Sequence, residues 1–174
     1  MAMTKKLLRC AAVFCGLTAL TACANENTTY APPMGLSAQD GASILGTTSA
    51  PLNRLGDSMR TNVLTVDNQW INRGPDGWRI PVLVSPGIHS VTVTSCVHDF
   101  MGCGSMAFIA IAINFEPGKT YYIHSSPPQR QGLLQPAEIT AWMEDANGQK
   151  VSPDETAALA QSTGAFVPIF IPAK

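Results

Sequence analysis

The chain reads as an all-β protein, a small antiparallel β-sandwich of about 7–8 strands behind a cleaved signal and a flexible tether. Three observations carry that expectation. From Thr61 onward, short apolar runs alternate with the turn pairs Asp67-Asn68, Pro86-Gly87, Pro117-Gly118 and Asn147-Gly148. No strong amphipathic helical period occurs after the N-terminus. The first 22 residues are unlike the rest of the chain.

Those residues, 1–22, form a signal segment. Lys5, Lys6 and Arg9 make a positive start, and an apolar run extends from Cys10 to Leu20. A run of about eleven residues suits a signal peptide and is short for a membrane span. It closes on Leu20-Thr21-Ala22-Cys23, which resembles the lipobox of bacterial lipoproteins at every position. The resemblance implies lipid on the Cys23 sulfur and cleavage just before it. Small side chains suit a peptidase, and a thiolate is the nucleophile that can take the lipid. An ordinary secretory signal ending by chance at a cysteine is the alternative. Ala24, not Asp, comes after Cys23, and in enterobacterial lipoproteins that favours the outer membrane, with the domain facing the periplasm.

Residues 23–58 are expected to be the lipidated cysteine and tether. Pro32, Pro33, Gly35, Gly41, Gly46 and Pro51 interrupt them, and no period holds. Some thirty such residues would span roughly 30 Å on average. The alternative is that part of the segment, Ala42 to Leu45, packs on the domain.

The sandwich is expected over 59–152. Asn62–Val66 and Gln69–Asn72 flank the Asp67-Asn68 turn. Trp78–Val84 holds Pro81, which suggests an edge or a bulge. Ile88–Cys96 alternates, with His89, Val91 and Val93 on one side. Ser105–Phe115 is apolar on both sides and is expected to be central, with both faces covered. Lys119–Ser125, Ile139–Glu144 and Gln149–Ser152 complete the set, and Glu155–Gln161 could form a short helical turn. The tail 153–174 carries an apolar segment, 166–171, as a cover or an added strand.

Val66-Asp67-Asn68, Val84-Ser85-Pro86-Gly87-Ile88-His89-Ser90-Val91 and Glu116-Pro117-Gly118-Lys119-Thr120-Tyr121-Tyr122-Ile123 share a rhythm. It resembles a loose group of bacterial lipoproteins of unknown function with the pattern "V-D-G", "PG-x-H-x-V-x-V" and "PGK-x-Y-Y". The resemblance covers roughly residues 61–152 and implies a small β-sandwich. Asn68 stands where that pattern has Gly, and no catalytic residue comes with it.

Charge narrows the partners. The formal net charge is −1, and removal of Lys5, Lys6 and Arg9 leaves eight Lys/Arg against twelve Asp/Glu. That balance argues against nucleic acid and against a polybasic membrane patch. In an oxidising compartment Cys96 and Cys103 are expected to pair, which would stabilise by roughly 2.5 kcal/mol in the chain-entropy model. The alternative is a metal site of Cys96, His98, Asp99 and Cys103, although the spacing is not a standard zinc pattern. His89 is expected to be a buried, hydrogen-bonded ring. Neither Ser105 nor Ser125 has a nucleophile motif, so no enzyme is expected. Trp142 faces away from Ile139, Ala141 and Met143, as a contact residue or packed under a loop. Trp142, Phe166, Ile169 and Phe170 are the candidate partner contacts.

The expected role is an accessory or structural one, with the membrane as one partner and another envelope protein as the other. No cofactor beyond the lipid on Cys23 is expected. The alternative is an envelope module that binds a metal or a saccharide.

Overall fold

The computed structural model describes residues 29–53, 56–73, 77–99, 102–130, 132 and 136–161. Cys23 and the apolar segment with Phe166, Ile169 and Phe170 lie outside them. The described strands, in order, are β1 (Ala42–Leu45), β2 (Thr47–Thr48), β3 (Ser58–Val66), β4 (Gln69–Trp70), β5 (Val82–Val84), β6 (Gly87–Asp99), β7 (Gly102–Phe115), β8 (Thr120–Ser125), β9 (Glu138–Asp145), β10 (Glu155–Ala158) and β11 (Ala160–Gln161). One 3-10 turn, Gly77–Arg79, precedes β5.

The fold is all-β, as expected. Two mostly antiparallel sheets form, ordered β10-β9-β8-β1-β5 and β11-β7-β6-β3-β2, with β4 paired to β3. One pair departs from the antiparallel expectation: β1 runs parallel to β8, Ser43 opposite Thr120. The alternation read from the sequence fills the space between the sheets. Ile44, Val84, Ile123, Ile139 and Met143 come from one sheet, and Met59, Val91, Val93, Ile109 and Ile111 from the other. Phe115 and Tyr121 meet edge to face at 4.9 Å. Turn chemistry sets the registers: Asp67 and Asn68 both have positive φ, 49° and 64°, as a two-residue hairpin loop requires.

Five expectations are corrected. The tether does not reach residue 58. β1 lies inside a sheet, between β8 and β5, and the chain is tied down from Thr29, which bridges Trp70. Tyr30 N–H donates to the Trp70 carbonyl and its hydroxyl to the Leu83 carbonyl. Proline and glycine hid this segment because its strand is four residues long. The sandwich also continues past 152: Glu155–Gln161 forms β10 and β11, one in each sheet, and not a helical turn. Gln149–Ser152 makes only a bridge, Lys150 to Glu144. Trp78 to Arg79 lie in the 3-10 turn, and the strand begins after Pro81, on the sheet edge that Pro81 suggested. Finally, the faces of β7 differ: Ile109, Ile111 and Ile113 are buried while Phe108, Ala110 and Ala112 are exposed.

Gly46 makes the corner where the chain leaves one sheet for the other. A Cβ there would collide with the Thr61 carbonyl and come within 2.8 Å of Trp78 Cβ. Its N–H donates to the Trp78 carbonyl at 3.0 Å. Close backbone approach therefore requires glycine here. Next to it, Thr61 and Ser95 from one sheet and Ser125 from the other share a knot of hydroxyls, with Ser125 Oγ 2.8 Å from Thr61 and 2.7 Å from Ser95. Mutual hydrogen bonding lets these polar groups sit in the core.

Candidate functional site

The Asp67-Asn68 turn places a carboxylate against the start of β6. Asp67 N–H donates to the Ser90 carbonyl, and Asp67 Oδ1 accepts from Ser90 N–H at 3.0 Å. His89 Nδ1 lies 2.6 Å from Asp67 Oδ2, and His89 Nε2 lies 3.1 Å from Ser85 Oγ. A carboxylate only accepts, so His89 Nδ1–H is the donor, and in the neutral ring Nε2 accepts from the Ser85 hydroxyl. The His89 ring packs beside Phe115 at 5.9 Å. These are the distances of a Ser-His-Asp triad. Pro86, next in the chain after Ser85, has no N–H to stabilise an oxyanion. The three residues act as a pin that joins the β3–β4 turn to the β5–β6 turn. Sequence reading placed His89 correctly as a hydrogen-bonded ring but missed Asp67 and Ser85 as its partners. Their signal was present in the V-D-x and PG-x-H segments.

Cys96 and Cys103 form a disulfide across the β6–β7 hairpin, with Cα atoms 5.6 Å apart. Bonded to each other, the sulfurs are not thiolate ligands, which removes half of the Cys96, His98, Asp99, Cys103 metal set. His98 pairs with Cys103 in the ladder and is half-buried, and the Asp99 side chain lies outside the described residues. Among the described residues no three His, Cys, Asp or Glu side chains gather as a metal site would need.

Trp142 lies on the outer face of β9, as its phase required. Its indole N–H donates to Glu144 Oε1 at 2.7 Å, the His124 ring stacks 6.0 Å away, and Lys150 Nζ sits 5.1 Å from the ring centre. Trp142 is half-buried beside the turn after β9. That turn is held by Asp145, whose carboxyl is shifted below the usual carboxylate range by N–H donation from Gln149 and Asn147.

The two surfaces of the β6–β7 sheet differ. Over β3, the segments Ile71–Arg73 and Gly77–Val82 cover a cavity of about 250 Å³, lined by Asn62, Leu64, Ile71, Arg73, Val82 and the disulfide among others. Asn62 Oδ1, Arg60 Nε and Trp78 Nε1 are buried there or beside it without a hydrogen-bond partner. The guanidinium groups of Arg60 and Arg79 lie 5.7 and 4.6 Å from the Trp78 ring centre. Arg73 Nη1 donates to the Ile80 and Pro81 carbonyls. At the other side, β7 pairs with β11 only at Ser105 and Met106. Over Ile109–Phe115 its outer edge joins no ladder among the described residues; β10 passes close to β7, and Ala112, Ile113 and Asn114 line a cavity with Asp145, Gln149, Lys150 and Val151. Ala110 and Ala112 are exposed on its outward face, and Ile88, opposite Asn114, is 81 % exposed.

No family model, curated protein or solved structure matches the chain.

Proposed function

We propose that this protein is a lipid-anchored envelope protein, held by lipid on Cys23, whose sandwich binds an extended segment of another envelope protein along the open edge of β7. The observation that carries the reading is that edge. A long strand whose backbone groups face solvent is a template for strand addition, and proteins that do not use such an edge blunt it with charge, proline or a bulge. Ile109 to Phe115 contains none of these. Ala110, Ala112 and Ile88 add an apolar rim, which suits alternate side chains of an added strand. The LTAC segment supports the anchor, and the outer membrane facing the periplasm is the proposed location.

The experiment is photocrosslinking in intact cells, with a photoreactive residue at Ala112 and a control at Ala50, exposed after β2 at the opposite edge of the same sheet. The expected result is one adduct with a defined envelope protein from Ala112 and none from Ala50. Ala110→Lys with Ala112→Lys should abolish it while the melting temperature holds within a few degrees, because both side chains are exposed. Equal crosslinking from both positions, or an adduct insensitive to the lysines, would defeat the edge as the docking site.

A further inference from the structure

Composition gives this chain no basic surface, yet the fold gathers three arginines at one place. Arg60 on β3 and Arg79 at the end of the 3-10 turn lie over the Trp78 ring, and Arg73, ahead of that turn, donates to the Ile80 and Pro81 carbonyls. The described lysines with ion pairs behave differently: Lys119 is held by Glu116 and Lys150 by Asp154. No carboxylate of the described residues pairs with Arg60, Arg73 or Arg79. Asp76, in the same loop, lies outside those residues. Ile80, next to Arg79 in the chain and with its carbonyl held by Arg73, is 50 % exposed.

The position of this cluster is tied to the start of the described chain. Thr29 bridges Trp70, and the Tyr30 hydroxyl donates to the Leu83 carbonyl, so the chain enters beside β4 and β5, the strands that flank the loop. Arg73 is near enough to Tyr30 to act on it: burial and Asp67 raise the Tyr30 pKa, and Arg73 opposes them. Six residues separate Cys23 from Thr29 in the sequence, counting Thr29 itself. Fully extended, they reach about 20 Å. The domain therefore has no thirty-residue tether to stand on, and the entry end of the sandwich stays close to whatever holds Cys23. Two strand positions, about 10 Å, separate β3 from β7 within the sheet, with the open edge of β7 on the far side.

We infer that Arg60 and Arg79, with Trp78 and Ile80 on the loop that Arg73 holds, form a membrane-contact patch that seats the domain on the anionic phosphates of the leaflet holding its anchor, leaving the β7 edge turned outward. This rests on the lipid-anchor reading of Cys23. Guanidinium groups suit phosphate oxygens through paired N–H donors. Trp and Ile at the same turn suit the boundary between headgroups and acyl chains. A basic residue near an anionic surface contributes an effect of about fivefold in binding.

The test uses the protein as isolated from membranes, mixed with vesicles of phosphatidylcholine alone or phosphatidylcholine with phosphatidylglycerol. Flotation reads the anchor, and hydrogen exchange at the Trp78–Ile80 amides reads the patch. The expected result is flotation with both vesicles, and slowed exchange at Trp78–Ile80 only where phosphatidylglycerol is present. Arg60→Gln with Arg79→Gln should remove that protection, and so should about 0.5 M salt on the unmodified protein, which shortens the screening length to a few ångströms. Flotation with both vesicles and no lipid-dependent protection overturns the patch and leaves the anchor standing. Flotation with the anionic vesicles alone, reversed by salt, supports the patch and overturns the anchor. Flotation with neither overturns both.

Discussion

Replacing His89 by alanine is the most informative single change, because it separates a structural pin from a catalytic group. The His89 side chain is 14 % exposed and that of Asp67 is 50 % exposed. Removal of the ring takes away packing on Phe115, worth about 1–2 kcal/mol for a mostly buried side chain of this size. It also removes the hydrogen bonds to Asp67 and Ser85. A bond to a carboxylate contributes up to about 3 kcal/mol, but half-exposure of Asp67 brings this nearer 1. The expected loss is about 2–3 kcal/mol, a fall in melting temperature of roughly 10 °C for a domain of this size. Asp67→Asn keeps an acceptor for Ser90 N–H and should cost less, about 0.5–1 kcal/mol. The double variant should then be more stable than the sum of the singles predicts, by about 0.5–1 kcal/mol. Urea unfolding read by tryptophan fluorescence measures all four corners of the cycle. Strict additivity, or a cost for His89→Ala below about 0.5 kcal/mol, would refute the pin. Covalent labelling of Ser85 by a fluorophosphonate, abolished in His89→Ala, would refute its non-catalytic reading.

Three other changes probe the remaining polar and covalent features. Asn62→Leu replaces an unsatisfied buried acceptor with an apolar group of similar size and should leave stability unchanged or raise it by about 1 kcal/mol, read by thermal unfolding. Cys96→Ser with Cys103→Ser should cost about 2.5 kcal/mol, and reduction of the native protein should match it. Asp145 binds its proton less readily when folded, so its contribution is present above the ordinary carboxylate range and is lost as pH falls through the folded value. The protection factor of the Gln149 amide, its exchange rate relative to the unstructured rate at the same pH, should therefore fall at acid pH, and Asp145→Asn should flatten that dependence.

Much of the sandwich was legible because each strand-forming run after Thr61 has a local cause. The Asp67-Asn68, Pro86-Gly87 and Pro117-Gly118 pairs end one strand and start the next, and alternation then assigns Val91, Val93, Ile109, Ile111 and Ile123 to the interior. The errors have one origin. A β-strand has no internal hydrogen bonds, so a four-residue strand such as Ala42–Leu45 exists only because β8 and β5 stand on either side of it. The same holds for Glu155–Ala158 on β9. The exposed outer face of β7 was misread for a related reason: Phe108, Ala110 and Ala112 are apolar, and apolarity alone does not say whether anything covers a sheet.

The candidate sites divide in the same way. The amino-acid sequence alone determined the all-β class, most of the turns, the phase of Trp142 and the expectation that Cys96 and Cys103 pair, since each depends on neighbours or on a single compartment argument. The tertiary structure decided that Ser85, His89 and Asp67 meet, that Trp142 lies under Lys150, and that Arg60 and Arg79 converge on Trp78. These residues come from different strands and turns, and periodicity carries no information about which distant segments the sheet order brings together. The membrane-contact patch is the clearest case. Arg60 and Arg79, well apart in the sequence, meet only because the loop ahead of β5 folds over the outer face of β3.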